Sequence, residues 1–134
     1  LKSLQRSFPR CDDDRGRRVH AWLGAENQRR VAEAVKAVRA GDAETLGALM
    51  TAAQKDFDRS AIPECPSQFA APTLHAVLGD EKLAELCWGG KGIGCGGEGS
   101  AQLVCRSKEA RDRAASYVRD ELGMWCCCVD VGGS

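Results

Sequence analysis

From Gly89 the chain reads Gly89-Gly90-Lys91-Gly92-Ile93-Gly94-Cys95-Gly96-Gly97-Glu98-Gly99, seven glycines among eleven residues. Glycine accepts positive φ and lets the backbone approach a ligand with no Cβ in between. Successive N–H groups of such a loop can form a concave anion site, so the chemistry on offer is phosphate binding. Apolar segments flank the run closely on both sides, which is unlike a flexible interdomain linker. A Walker A loop requires G-x-x-x-x-G-K-[ST]. Here Gly92 follows Lys91, and no glycine stands at the required earlier position. Gly92-x-Gly94-x-x-Gly97 does match the dinucleotide pattern, but that fingerprint must open a helix after a strand. A strand-like segment follows instead, and only 35 residues remain after Gly99.

Other chemistry-bearing residues offer less. Lys91 is either a point charge toward phosphate or an exposed lysine beside a turn. Glu98 would repel phosphate unless it faces away or acts through Mg2+, and facing away is the simpler expectation. Ser100 can donate to phosphate or simply start the next strand. His20 and His75 read as surface or packing histidines, with no nucleophile or carboxylate at a telling spacing. Cys95 has no adjacent base and is not expected to act as a nucleophile. The eight cysteines, at 11, 65, 87, 95, 105 and 126–128, include no C-x-x-C and no Cys/His pair at zinc spacing. No metal site is expected, and reduced cysteines acting as small buried hydrophobes fit best.

Composition sets the frame. A chain of 134 residues that is 43% apolar and 28% charged reads as one ordinary globular domain. No membrane-spanning run and no signal core are visible, so a cytoplasmic location without membrane contact is expected. The missing initiating Met suggests a chain cut from something longer. Nineteen basic and nineteen acidic residues cancel. The cluster Arg15-Gly16-Arg17-Arg18 follows Asp12-Asp13-Asp14, which reads as a solvated mixed-charge loop. A nucleic-acid partner is not expected.

The elements that must position the glycine run follow from periodicity. Leu1, Leu4 and Phe8 lie at helical spacing before Pro9, and a polar loop covers residues 10–18. Val31, Ala34, Val35 and Val38 predict a one-faced helix ended by Gly41. Asp42 caps a second helix with the stripe Leu46, Leu49, Met50, Ala53 and Phe57, giving an antiparallel pair. Pro63, Pro66 and Pro72 bracket a loop, and Leu74, Val77 and Leu78 predict a short helix. Leu83 to Trp88 is either a strand or a helix end. Ala101 to Cys105 reads as a strand. Ser107 caps a helix carrying Ala110, Ala114, Tyr117, Val118 and Leu122, ended by Gly123, and Trp125 to Val131 reads as a final strand. This is an α+β layered domain.

The segment from Gly90 to Gln102 resembles the C-terminal glycine motif of the GHMP kinases, the family of galactokinase, homoserine kinase, mevalonate kinase and phosphomevalonate kinase. Ala40-Gly41-Asp42, Leu46-Gly47-Ala48-Leu49-Met50 and Gln54-Lys55-Asp56-Phe57-Asp58 are similar to the helical region preceding that motif. The resemblance covers roughly residues 20–130. It implies a ferredoxin-like C-terminal domain over 20–134, with antiparallel strands layered with helices. Residues 1–19 would be a helix end and polar loop continuing from a missing N-terminal domain.

The resemblance also implies a kinase that transfers phosphate from ATP, with Mg2+, to a sugar or mevalonate-like metabolite. Gly92, Gly94, Gly96 and Gly97 would line the phosphate end of the cleft, with Gly99 and Ser100 in the same loop. Gln54 and Lys91 are candidate substrate-side residues, Gln54 being equally readable as a solvated helix position. The family's ATP loop, a proline followed by G-L-G-S-S, and its catalytic Asp and Lys belong to the N-terminal domain and occur nowhere here. No catalytic residue is therefore expected in this chain, and the fragment alone should be inactive. The alternative is a non-catalytic binding or regulatory module with the same fold. A metal or redox protein using the cysteines is a more distant third.

Overall fold

The computed structural model describes Arg17, residues 24–94 and residues 98–131. The expected helix end at Leu1–Phe8, His20, Cys11, Cys95, Gly96 and Gly97 lie outside the described residues. Of the polar loop expected over 10–18 only Arg17 is described, and its backbone is helical.

Helices α1 (Ala25–Ala40) and α2 (Ala43–Ala61) are joined by Gly41 and Asp42. Gly41 takes φ 68°, and the Asp42 N–H reaches back to the Ala37 carbonyl at 2.9 Å, which closes α1. The Asp42 carboxylate then accepts the Thr45 N–H at 2.9 Å and starts α2. Arg30, early in α1, pairs with Asp56, late in α2, so the two helices run antiparallel. The apolar stripe of α1 is not its packed face. Val31, Val35 and Val38 are 54%, 44% and 45% exposed, whereas Ala37 is 4% exposed. A small alanine lets α1 approach α2 closely, and the valines turn outward.

Three short helices follow: α3 (Pro66–Phe69), α4 (Pro72–Leu78) and α5 (Glu81–Leu86). The Phe69 ring meets Phe57 of α2 edge-on, with ring centroids 5.4 Å apart. Asp80 caps α5 by accepting the Leu83 N–H at 2.9 Å. The ambiguous stretch Leu83–Trp88 divides at Leu86, where α5 ends and β1 (Cys87–Ile93) begins. β1 pairs antiparallel with β2 (Ser100–Cys105), and Ile93 faces Ser100 at the tip. The register holds back to Gly89 opposite Val104. It then shifts by one residue, so that Cys87 rather than Trp88 faces Cys105. The bulged Trp88 ring carries the Arg106 guanidinium 4.0 Å from its centroid.

Helix α6 (Lys108–Asp120) is capped by the Ser107 hydroxyl, which accepts the Ala110 N–H at 3.1 Å. Its Ala114 joins Val77, Leu83, Leu86 and Cys87 in the core, flanked by Leu103, Cys105, Tyr117, Val118, Leu122 and Met124. Burial of Leu83 to 2% and Leu86 to 6% exposure contributes roughly 1.5–3 kcal/mol each. The Tyr117 hydroxyl donates to Asp80 at 3.0 Å and locks α6 to the start of α5. The architecture is thus α+β: helices packed on a two-stranded antiparallel sheet among the described residues.

The final strand expected at Trp125–Val131 does not form. Residues 123–130 carry neither helix nor strand, and Trp125, Val129 and Val131 are 85%, 72% and 74% exposed. The segment follows α6 instead. Met124 packs on the core, the Cys126 thiol donates to the Ala115 carbonyl, and Arg111 pairs with Asp130. Cys127 and Cys128 are accordingly exposed, so the expectation of buried cysteines holds for Cys87 alone among the described residues.

Candidate functional site

Up to Ile93 the glycine run forms the second half of β1, Gly94 turns out of it, and its first glycines serve contact with α2. A Cβ added to Gly47 of α2 would stand 2.6 Å from the Trp88 Cβ and 2.9 Å from the Gly89 nitrogen. One added to Gly89 would collide with the Gly47 carbonyl and the Thr51 hydroxyl, and one on Gly90 would lie 2.6 Å from the Gln102 carbonyl oxygen. Helix and strand backbones therefore touch here, which only residues without a side chain permit.

That closeness lets α2 satisfy the strand's backbone. The Thr51 hydroxyl accepts the Gly90 N–H at 3.2 Å, and Gln54 Oε1 accepts the Gly92 N–H at 2.8 Å. One helical turn thus receives two alternate N–H groups of β1 and covers an edge that would otherwise be open. Gln54 is only 6% exposed. Its Nε2 donates to Asp58 Oδ1 at 2.8 Å, and Asp58 Oδ2 lies 3.0 Å from His75 Nε2. His75 Nδ1 in turn lies 2.9 Å from the Ala71 carbonyl. Both ring nitrogens face acceptors, which favours the doubly protonated imidazolium. The hydrogen bond to Asp58 accordingly holds the His75 pKa above its ordinary value, against partial burial.

From the far side of the hairpin tip, Glu98 reaches the first turn of α4. Its Oε1 accepts the Thr73 N–H at 2.8 Å and its Oε2 the Leu74 N–H at 3.2 Å. The Thr73 N–H is the main reason the Glu98 carboxyl is held below its ordinary value, with the nearby His75 charge adding to it. The hairpin is thus fixed twice, at Gly92 by α2 and at Glu98 by α4.

The structure brings Gln54 and Gly92 into direct contact, but as positioning partners: both ends of the Gln54 amide are engaged within the fold. Gly94, with φ 77° and open space where a Cβ would be, turns the chain out of β1 at the exposed tip. Gly99 and Ser100 are exposed on the returning side, and Lys91 is half-buried opposite Gln102. Sequence reasoning missed Gly47, Thr51, Asp58 and the pairing of His75. Asp58 and His75 are seventeen positions apart in the chain. Only the packing of α4 beside α2 makes them neighbours, so no spacing rule could have found them.

Among the described residues no group of three or more His, Cys, Asp or Glu is placed to hold a metal ion. No helix among them is long and apolar enough to cross a membrane. A shallow concavity between α5 and α6, lined by Lys82, Tyr117, Asp120 and Glu121 among others, contains no residue of the hairpin. No protein-family model, curated protein or solved structure matches the chain.

Proposed function

We propose that the glycine hairpin is the phosphate-side wall of the cleft of a GHMP-type small-molecule kinase, completed by an N-terminal domain that carries the ATP loop and the catalytic groups. The observation that carries this reading is the clamp of α2 on β1. Gly47 admits the strand, and Thr51 and Gln54 hold alternate N–H groups, so the exposed Gly94 and the returning Gly99 and Ser100 sit on a fixed base. A rigidly based, exposed, side-chain-poor tip is what a phosphate wall requires. The ferredoxin-like arrangement is part of the same proposal, supported by an antiparallel hairpin with a long helix packed on it.

The residues present fit a phosphate in part. Gly92 directs its N–H to Gln54 and Glu98 directs its carboxylate to α4, so neither belongs to the binding surface. Gly94, Gly99 and the Ser100 hydroxyl form the exposed tip, and Lys91 is the nearest cation in the run. When bound, Mg·ATP would supply the phosphoryl group to be transferred. The role of this chain is to shape and orient, since a transferring phosphate needs positioning and charge stabilisation more than covalent help.

The test uses the longest native polypeptide containing this sequence, supplied with Mg·ATP and a panel of sugars, mevalonate and phosphorylated acceptors. Phosphoryl transfer is expected, falling at least about tenfold in Gly94→Val, whose side chain is strained at the positive φ of Gly94 and stands where the phosphate would approach. The 134-residue chain by itself is expected to be inactive. No transfer to any acceptor overturns the kinase reading. Nucleotide or phosphosugar binding by this chain alone, seen in calorimetry without turnover, would favour the non-catalytic module instead.

A further inference from the structure

At the end of the hairpin away from the glycine tip, the bulge sets two thiols against each other. Cys87 and Cys105 are register partners, and their Sγ atoms lie 3.6 Å apart. Skipping Trp88 produces this meeting. Had the register of residues 89–93 continued unbroken, Cys105 would face Trp88. Both sulfurs are free thiols. We propose that Cys87 and Cys105 are an oxidation site, at which a hydroperoxide converts the pair into a reversible cross-strand disulfide. The site is independent of the kinase reading and uses none of its residues.

The geometry needs little change. A disulfide is about 2.05 Å long, so the sulfurs must approach by roughly 1.5 Å, within reach of side-chain rotation between directly opposed strand residues. Of the other described cysteines, Cys127 and Cys128 are exposed. Cys65 meets the Ser67 hydroxyl, and Cys126 meets the Ala115 carbonyl and Arg119. The pair is also asymmetric. Cys87 is 5% exposed within the core, whereas Cys105 is half-buried and open to a small oxidant. The S–H of Cys87, and after it the charge of Arg111, favour the Cys105 thiolate against the cost of desolvation.

The reaction balances in two steps. The Cys105 thiolate attacks one oxygen of the hydroperoxide; the S–O bond forms, the O–O bond breaks, and an alcohol or water leaves with a proton, giving the sulfenic acid. The Cys87 sulfur then attacks the Cys105 sulfur. The S–S bond forms, the S–O bond breaks, and the hydroxyl leaves as water with the Cys87 proton. One peroxide is reduced by two electrons and two thiols are oxidised. A dithiol reductant restores the pair.

Mass spectrometry of the peroxide-treated protein tests this. After reduction, treatment with one equivalent of hydrogen peroxide, alkylation of remaining thiols and trypsin digestion, peptide 83–91 should be joined to peptide 92–106. The joined mass should lack two hydrogens, and fragmentation should place the bridge at Cys105 rather than Cys95. Dithiothreitol should restore both alkylatable thiols. Cys105→Ser should abolish the joined peptide, Cys95→Ser should retain it, and Cys87→Ser should leave a sulfenic acid at Cys105 that dimedone traps. A bridge at Cys95, or full alkylation of Cys87 and Cys105 while Cys126–Cys128 oxidise, overturns the proposal. The wild-type map decides even if a serine variant folds poorly.

Discussion

Gln54 joins a helix to a glycine strand through a single amide: Oε1 accepts the Gly92 N–H at 2.8 Å, and Nε2 donates to Asp58 at 2.8 Å. A buried side chain on α2 therefore fixes both the strand leading to the hairpin tip and the acidic residue that meets His75. Four residues from three elements, Gly92, Gln54, Asp58 and His75, form one connected chain of polar contacts. Partly satisfied buried networks are costly, so each link has a measurable consequence.

Replacing Gln54 by Leu leaves the buried Gly92 N–H without its acceptor. A destabilisation of about 1–3 kcal/mol is expected in urea unfolding, the desolvation cost of an unpaired donor. Gln54→Glu keeps the acceptor but sets a second carboxylate beside Asp58, so its deficit should shrink as pH is lowered. Wild-type stability in Gln54→Leu would show that the contact contributes nothing.

Gly47→Ala opposes two effects. Alanine favours a helix interior by about 1 kcal/mol over glycine. Its Cβ, however, would lie 2.6 Å from the Trp88 Cβ and 2.7 Å from the Trp88 carbonyl carbon, atoms fixed to the strand backbone. Overpacking of this kind costs about 1–3 kcal/mol and is expected to win, with a lowered midpoint of unfolding. Gly41→Ala meets no atom within 4 Å and should cost about 1 kcal/mol through its positive φ alone. A Gly47→Ala protein more stable than wild type would show that α2 does not lie this close to β1.

His75 gives stability a pH dependence of known sign. Its pKa is raised in the fold, chiefly by Asp58, from an ordinary value of 6.5. The charged pair therefore contributes fully below pH 6.5, and the contribution is lost as pH rises through the raised value. The stability gap between wild type and His75→Gln should be widest below pH 6.5 and close as pH rises through the raised value. A gap of constant size across that range, or an imidazole proton titrating at or below 6.5 by NMR, contradicts the pairing.

Glu98 acts with the opposite sign. Its carboxyl is held below the ordinary 4.5, first by the Thr73 N–H, so its contribution exists above pH 4.5 and disappears as pH falls through the lowered value. Glu98→Gln should lose stability at neutral pH and converge with wild type in acid. Parallel acid-unfolding curves for the two proteins would mean that the hairpin tip is not tied to α4.

Much of the helical frame was legible because its signals are local. Asp42 and Ser107 are caps that act within three residues, and Gly41 and Gly123 adopt the positive φ that ends α1 and follows α6. The turn between α1 and α2 could be read from two residues for the same reason. The outward face of α1 was not legible: periodicity marked Val31, Val35 and Val38 as one stripe, but which stripe meets α2 depends on how closely two helices approach. The missing last strand has a similar cause. Trp125–Val131 has a strand-like composition, yet a strand forms only with a partner, and this segment meets α6.

The sequence by itself determined that a glycine-rich turn lies between two apolar segments, behind a capped helical pair, because composition and capping act over a few residues. It also set aside the Walker and dinucleotide loops, since those need particular neighbours along the chain. Only the tertiary structure decided what the glycines are for. Gly89 admits α2, Gly90 leaves room for Leu103 and Leu78, Gly92 is held by Gln54, and Gly94 turns the chain out of β1, a division that depends on contacts distant in the chain. It likewise decided that Cys87 meets Cys105, since a one-residue bulge changes every pairing beyond it and leaves no mark in the sequence.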